Sequence, residues 1–259
     1  MSGDGDCTEW RNLEDQACAE AAKHLPTADG RDRIAQAVKT ARSQLGGDDV
    51  RSHVISFNSA RWQPHASALP ERALRTGCIS RGDVFEIAAE LDGTDPHWRL
   101  FCASNIWGRP SNGFGKAQFE RIIRETPPEQ LSTVIAEARG RLAACGPLSA
   151  YAYLRGTGSA CTVPRWGPAF FSKLLYFAHT GSAPGSALIL DNLTATAVAA
   201  ISELPNFVNR RGGSVRWTKY RYGVYLAWMN QVAARQGVSP DFLEYALFKD
   251  ERRRRRRPS

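Results

Sequence analysis

The 259-residue sequence has no long apolar run, no paired cysteines and no clustered metal ligands. No stretch approaches the roughly 20 apolar residues that span a bilayer, so we expect no transmembrane helix and no membrane partner. Residues 1–6 are polar and acidic, without the basic and apolar regions of a secretory signal. These absences predict a soluble protein that stays in the cytoplasm.

The cysteines and histidines are scattered, and none falls in a Cys-x-x-Cys pair. A zinc or iron–sulfur site needs clustered ligands, so we expect no metal and no cofactor built on one. In a cytoplasmic chain of this size the cysteines should be reduced thiols, several of them buried. The six cysteines are Cys7, Cys18, Cys78, Cys102, Cys145 and Cys161.

Positive charge is concentrated at one end of the chain. The formal net charge is +8, but Arg252 to Arg257 are six consecutive arginines, without which 28 basic residues face 26 acidic ones. Net charge alone therefore does not indicate a nucleic-acid binder. The arginine run is typical of a disordered, solvated terminus and equally of an electrostatic anchor to phosphates, and both can hold at once.

Helical periodicity dominates the sequence, and we find no convincing sheet signal or internal repeat. The predicted fold class is therefore all-α, or nearly so. Ser80 is expected to cap one helix, and Gly146-Pro147 to break another. The predicted helices are 10–23, 32–45, 84–91, 98–107, 116–125, 128–145, 148–154, 168–179, 194–204, 217–236 and 242–248.

Three segments follow from this pattern. Residues 1–48 are predicted to be an N-terminal helical segment and residues 49–250 the main helical domain. Residues 251–259 are predicted to be a disordered arginine-rich tail.

Lys173 is the unusual residue of the most apolar predicted helix. Gly167 followed by Pro168 is typical of a helix start, and the free N–H groups there, with Arg165 just before, could receive a phosphate. Burial disfavours a charged ammonium, and a neutral amine is a nucleophile. The alternative is a lysine whose stem reaches along the apolar surface to water.

Asp191 follows the apolar run 187–190 and precedes a predicted helix. A carboxylate at that place caps the helix N-terminus and stays ionised. Capping and catalysis are compatible roles, so the position of Asp191 does not separate them.

The order of these elements resembles that of the helix-hairpin-helix DNA glycosylases. The residues within them resemble those of a bacterial group of 8-oxoguanine DNA glycosylase OGG-fold proteins. The resemblance covers roughly residues 60–250, and its most specific part joins Lys173 to Asp191, 18 residues apart. One departure is that Gly167 stands six residues before Lys173, after Pro164-Arg165-Trp166 in place of small residues. The similar segments are 105–108, 113–115, 167–178, 187–191, Trp217 with Tyr220, Tyr222 and Tyr225, and 242–248.

The resemblance implies a glycosylase-like architecture of two helical lobes around a central cleft. It also implies a monomer that binds double-stranded DNA with a damaged base and flips that base into a pocket. Lys173 would attack the sugar C1′ and form a Schiff base, with AP-lyase activity, and Asp191 would stabilise the developing positive charge. No cofactor is needed, and the protein would associate with the bacterial nucleoid while acting on DNA.

The remaining site residues divide into a DNA contact and an aromatic pocket. Arg165, Trp166 and Gly167 are the expected DNA-binding residues. Aromatic side chains are expected in the pocket because a flipped purine stacks on flat rings, although an aromatic stripe at helical spacing is usually core. The candidates are Trp107, Phe170, Phe171, Tyr222 and Trp228.

Three alternatives stay open. The chain could be a DNA-binding protein of the same fold without turnover, because fold does not guarantee chemistry. It could be a glycosylase for another modified base, or a purely structural helical protein. The purely structural alternative leaves a lysine in an apolar helix unexplained. Convergence of Lys173 and Asp191 in one cleft would favour an enzyme over the DNA-binding alternative.

Overall fold

A computed structural model describes residues 7–90, 95–108, 113–156, 163–179, 186–205, 207–208 and 217–256. Within these ranges the fold is all-α apart from two three-residue strands, as predicted. The helices are α1 (Thr8–Lys23), α2 (Ala28–Leu45), α3 (Glu71–Thr76), α4 (Arg81–Ala89), α5 (Pro96–Gly108), α6 (Gly113–Glu125), α7 (Pro128–Arg155), α8 (Pro168–Ala178), α9 (Asn192–Ile201), α10 (Lys219–Gln236) and α11 (Pro240–Arg256). None of the helices in these ranges combines the length and apolar character that a membrane span requires.

The sheet is a single antiparallel pair that the sequence did not reveal. Strand β1 (Val54–Ser56) pairs with β2 (Cys78–Ser80), and Ile55 lies opposite Ile79. Strands of three residues are too short to show an alternating pattern, so the sequence shows no sheet signal here, and the predicted class of all-α, or nearly so, is confirmed. The pair leads directly into α4, which places Arg81 at the edge of the core.

Local sequence signals set several helix boundaries. Ser80 caps α4 through a reciprocal capping box with Asp83, as predicted for that segment. The predicted break at Gly146-Pro147 is a kink within α7, where Gly146 has a φ of 78° and non-helical geometry. Thr27 and Thr218 accept hydrogen bonds from the first turns of α2 and α10.

The helices pack in two groups that meet at a cleft. One group contains α4, α5, α7 and α8, and the other contains α1, α2, α9, α10 and α11. The N-terminal helices α1 and α2 are therefore built into the second group, where α1 packs on α10 and α2 packs on α9 and α11. Their buried residues belong to the same hydrophobic core as the rest of the chain.

The arginine run is helical rather than disordered from residue 251 to residue 256. Helix α11 continues to Arg256, because the carboxylates of Asp250 and Glu251 hold it. Both accept hydrogen bonds from Arg33 on α2, at 2.7 and 3.1 Å, and from arginines one turn later. The predicted tail is thus corrected for residues 251–256, and residues 257–259 lie outside the described ranges.

A disulfide joins Cys7, at the start of α1, to Cys145 near the kink of α7. The expectation of reduced thiols throughout is therefore wrong for this pair. The two residues are 138 positions apart in sequence but their Cα atoms lie 5.4 Å apart, so spacing along the chain gave no sign of it. Cys18, Cys78 and Cys102 are free, and Cys161 lies outside the described residues.

We expect Gly30→Ala to lower the free energy of unfolding by about 1–3 kcal/mol, because a Cβ there would overlap the backbone carbonyl oxygen of Ile201 at the α2–α9 contact. Gly140→Ala is the matched control. Gly140 is exposed within α7 and a Cβ there meets no atom within 4 Å, so this change should stabilise by about 0.5–1 kcal/mol. Urea denaturation followed by circular dichroism measures both, and equal effects would contradict the packing assigned to α2 and α9.

Candidate active site

Lys173 lies in the interior of the protein rather than at its surface. Helix α8 is apolar along its whole length and packs against α4, α5 and α7, so both sides of the helix are covered. The lysine is 7% exposed. The alternative in which its stem reaches out to bulk water is therefore wrong.

The amine of Lys173 is held by two acceptors. Its Nζ donates to the carbonyl oxygen of Ala169 at 2.9 Å and to Oδ2 of Asp191 at 3.1 Å. Gly108, the last residue of α5, lies against the stem, and a Cβ built there would come 2.8 Å from Cδ of Lys173. The position of the amine is thus fixed by a carbonyl, a carboxylate and a neighbouring backbone.

Asp191 combines the two roles that its sequence position allowed. Its Oδ1 accepts from the backbone N–H groups of Leu193 and Thr194 at 3.0 and 3.1 Å, which caps α9 as predicted, and Oδ2 faces the lysine. Burial raises the pKa of Asp191, but the charge of Lys173 and the hydrogen bonds from Thr194 outweigh it. The pKa therefore lies below its ordinary value and the carboxylate is ionised.

The extended segment 186–190 positions Asp191. Its backbone is buried and is satisfied by side chains of neighbouring helices, since the Tyr222 hydroxyl donates to the Leu188 carbonyl at 2.9 Å and the Tyr225 hydroxyl to the Ile189 carbonyl at 2.7 Å. Ser172, the residue before the lysine, accepts from the N–H of Leu190 at 3.1 Å. This last bond ties the lysine helix directly to the segment that carries the aspartate.

Lys173 and Asp191 open into one cavity of about 330 Å³ at the meeting of the two helix groups. One group contributes residues of α4, α5 and α8, and the other contributes residues of α9 and α11. The lining residues are His53, Ile55, Arg81, Trp107, Gly108, Lys173, Ile189, Asp191, Leu193, Glu244, Phe248 and Arg252.

A second buried ion pair borders the cavity. Nη1 of Arg81 lies 3.3 Å from Oε2 of Glu244, and each side chain is 1% exposed. Arg81 also donates to the Tyr176 hydroxyl at 3.0 Å, and its guanidinium lies 5.1 Å from the ring centre of Trp107. Burial works against charge on Arg81, but Tyr176 and Glu244 outweigh it and hold the pKa of the guanidinium above its ordinary value.

Glu244 titrates near neutrality. Burial raises its pKa to about 7, although the charge of Arg81 opposes the rise. Sequence reasoning missed both Arg81 and Glu244, because they are 163 residues apart and a capping motif and an ordinary helical segment account for their positions. Their pairing is visible only once α4 and α11 meet.

Three cavity residues carry buried nitrogen atoms that no described residue pairs. These atoms are Nδ1 of His53, Nε of Arg81 and Nε1 of Trp107. Burial, followed by the charges of Arg81, Lys249 and Arg252, lowers the pKa of His53 to about 3, so its ring is neutral. The cavity wall therefore offers unsatisfied polar groups beside aromatic surface, which is typical of a site that orients a flat polar ligand.

The predicted aromatic pocket is only partly assembled. Trp107 lines the cavity, and the ring centre of Phe170 lies 5.9 Å from the Lys173 amine. Phe171, Tyr222 and Trp228 are not among the residues that line it. Phe171 and Tyr222 pack on Tyr151 in the core, and Trp228 donates to the carbonyl of His24. Helical periodicity identifies a buried face but not which buried ring borders a cavity.

The predicted DNA contacts are also divided. Gly167 is the N-cap residue of α8 and leaves that helix without a side-chain cap, while Arg165 is exposed and pairs with Glu125 at 2.6 Å. Trp166 is buried against Phe101 and presents little surface to DNA. Residues 157–162 of the expected hairpin lie outside the described ranges.

We expect the side-chain carboxyl ¹³C resonance of Glu244, assigned by its absence in Glu244→Gln, to titrate at about pH 7. The ordinary value is 4.5, so protonation of the folded state stabilises fully below about pH 4.5, and this contribution is lost as the pH rises through about 7. Relative to Glu244→Gln, the wild-type protein should therefore lose stability across that window.

The comparison with Glu244→Gln matters because His53 acts in the opposite sense. Its lowered pKa contributes stability above pH 6.5 that is lost on acidification toward pH 3. Both proteins contain His53, so their difference isolates Glu244. A Glu244 midpoint at its ordinary value would show that the carboxyl is exposed to water and contradict the burial of this side chain.

Comparison with known proteins places this site within one family. No curated protein and no solved structure matches the chain significantly. The family model described as "Putative 8-oxoguanine DNA glycosylase OGG-like protein" matches residues 48–248, which contain every residue of the cavity except Arg252. The match confirms the resemblance drawn from the lysine and aspartate segments, and because it covers well over half of the 259 residues, the chain belongs to this family of OGG-like glycosylases.

Proposed function

We propose that this protein is a bifunctional DNA glycosylase that removes an oxidised purine, such as 8-oxoguanine, from double-stranded DNA through a Schiff base on Lys173. One observation carries the proposal: a buried lysine amine lies 3.1 Å from an ionised aspartate at the wall of a cavity between two helix groups. The family match supports the glycosylase class, and the geometry supports the lysine mechanism.

The cavity suits a flipped base. Its volume of about 330 Å³ lies at the small end of ligand sites, near the size that a single flat heterocycle needs. Trp107 and Phe248 supply aromatic surface, while Glu244 and the unpaired nitrogen of His53 supply hydrogen-bonding groups to the base edge. A carboxyl that titrates near pH 7 can donate as well as accept.

The reaction begins when the Lys173 amine, having released one proton, attacks C1′ of the flipped nucleotide. The bond from C1′ to the base breaks, and its electron pair leaves with the base, which takes up a proton. The nitrogen then passes one proton to O4′ as the bond from C1′ to O4′ breaks, so the sugar ring opens to a protonated Schiff base with a free 4′ hydroxyl. Loss of a C2′ proton and departure of the 3′ phosphate then break the strand by β-elimination.

Asp191 has two tasks in this sequence. Its carboxylate positions the amine through the 3.1 Å contact, and its negative charge stabilises the positive charge that develops on the sugar. The capping bonds from α9 hold the carboxylate in place throughout, so no reorganisation is needed as the charge develops.

The DNA backbone approaches the beginning of α8. The proposed phosphate contacts there are the N–H of Ala169 in the first turn of α8 and the exposed guanidinium of Arg165, which would exchange its pair with Glu125 for a phosphate. Such contacts fix the register of the duplex and carry no sequence information. We further propose that the protein acts as a monomer, at the nucleoid of a bacterial cell.

We expect wild-type protein to form a covalent adduct with a labelled duplex containing one 8-oxoguanine when borohydride is added, and Lys173→Gln to form none. The variant lacks the nucleophile, and borohydride reduces only the Schiff base. Gel electrophoresis measures the adduct, and circular dichroism checks that the variant is folded. A Lys173→Gln protein that still nicks the strand would remove Lys173 from the mechanism.

Asp191→Asn should separate chemistry from folding. Asparagine caps a helix about as well as aspartate, so circular dichroism should show a folded protein, although the melting temperature should fall because the buried Lys173 amine loses its counter-charge. Below that melting temperature, loss of the charge should lower the rate of base release about 10²–10³-fold. Single-turnover kinetics measure the rate, with Asp48→Asn at an exposed pair with Arg42 as the matched control. An unchanged rate would show that the carboxylate serves the helix alone.

A further inference from the structure

A groove of about 470 Å³ between α2 and α11 lies next to the Lys173 cavity. Its polar wall comes from α11 and includes Lys249, Asp250, Arg252, Arg253 and Arg256. We call it the basic groove. Arg252 lines both the basic groove and the Lys173 cavity, so the two openings share one side chain.

The arginines of α11 are not equivalent in charge. Arg253 and Arg254 donate to Asp250 at 2.8 and 3.0 Å, and Arg255 donates to Glu251 at 3.0 Å. These three are ion-paired with the two carboxylates that also anchor the helix to Arg33. Their charge serves the fold.

The other three cations of α11 that line the groove have no carboxylate partner in the part of the chain that the structure describes. Lys249, Arg252 and Arg256 form no ion pair with any residue in the described ranges. Positions three and seven apart lie on one face of a helix, so the three charges form a row. Burial and then the charges of Arg252 and Arg256 lower the pKa of Lys249, which shows mutual repulsion along this row.

The row has the dimensions of a nucleic-acid backbone. Seven residues of helix span about 10 Å at about 1.5 Å per residue. One DNA strand places a phosphate about every 3.4 Å along its axis, so the row can meet two or three consecutive phosphates. Phosphates would also relieve the repulsion among the three cations.

We propose that the basic groove holds the sugar–phosphate backbone of the DNA strand that carries the flipped nucleotide, with Lys249, Arg252 and Arg256 each contacting phosphate. The proposal rests on the function proposed above, which puts that nucleotide in the Lys173 cavity. Arg252 meets the first phosphate outside the cavity, and Arg256 meets one farther along the same strand. These contacts are independent of base sequence.

The test compares two double variants with equal loss of charge. Arg252→Gln/Arg256→Gln, called the row variant, leaves only Lys249 in the row, and Arg254→Gln/Arg255→Gln removes ion-paired arginines. The probe is a labelled duplex with one uncleavable tetrahydrofuran abasic site, followed by fluorescence anisotropy at several salt concentrations. The row variant should bind about tenfold more weakly and reduce the slope of log K against log salt by about two. The control variant should stay close to wild type. If both variants lost affinity equally, the effect would come from net charge alone, and the proposal would be overturned.

Replacing single phosphates of the duplex by uncharged analogues locates the phosphates that the row contacts. Methylphosphonate placed singly at each of the four positions on either side of the abasic site should weaken wild-type binding at two or three adjacent positions of the lesion strand. In the row variant the positions contacted by Arg252 and Arg256 should lose their effect, while a position contacted by Lys249 should stay sensitive. A set of sensitive positions that is identical in the wild type and the row variant would contradict the assignment.

This measurement is separate from the lysine chemistry. If borohydride traps no adduct but the row variant loses affinity and methylphosphonate sensitivity, the groove binds DNA and only the Schiff base proposal fails. If an adduct forms while both double variants bind alike, the Lys173 site stands and the groove proposal fails.

Discussion

Two opposite charges held 3.1 Å apart inside the protein are the feature on which the site depends. Removing a lysine and an aspartate from water costs free energy that is recovered only when each has good partners. Here the carboxylate accepts hydrogen bonds from the N-terminal N–H groups of α9 as well as from the amine. The amine also donates to a carbonyl of its own helix. The hydrogen bond from Leu190 to Ser172 fixes the two segments to each other.

A second charged pair makes the cavity a polar space inside an apolar core. Arg81 and Glu244 come from the two helix groups and close the cavity on the side of α4 and α11. These two pairs of ionisable side chains, with the neutral ring of His53, line a cavity of about 330 Å³. Helix α11 contributes to both openings. Glu244 lies at the cavity, and the following turns of the helix carry the row of cations that lines the basic groove.

The sequence predicted most of what is local. Periodicity located the long helices, Ser80 and Asp191 are caps where expected, and the Gly146-Pro147 break is a kink. The Lys173–Asp191 convergence was expected only through the family resemblance, since nothing in an 18-residue spacing requires contact. The features that the sequence did not predict depend on partners far away in the chain. Arg33 and the acidic residues hold the arginine run in a helix, and Cys145 pairs with Cys7. Tyr222 stacks on Tyr151 in the core. Arg81 and Glu244 gave no local signal at all, because each looks ordinary until α4 meets α11.

The central claim is that the Lys173 amine, and no other amine of the chain, bonds to the sugar carbon. Peptide mass spectrometry of the borohydride-reduced protein–DNA adduct, after nuclease and protease digestion, tests it most directly. The account predicts a deoxyribose remnant on Lys173 and a missed tryptic cleavage at that residue. A remnant on the chain's amino terminus or on any other lysine would contradict it.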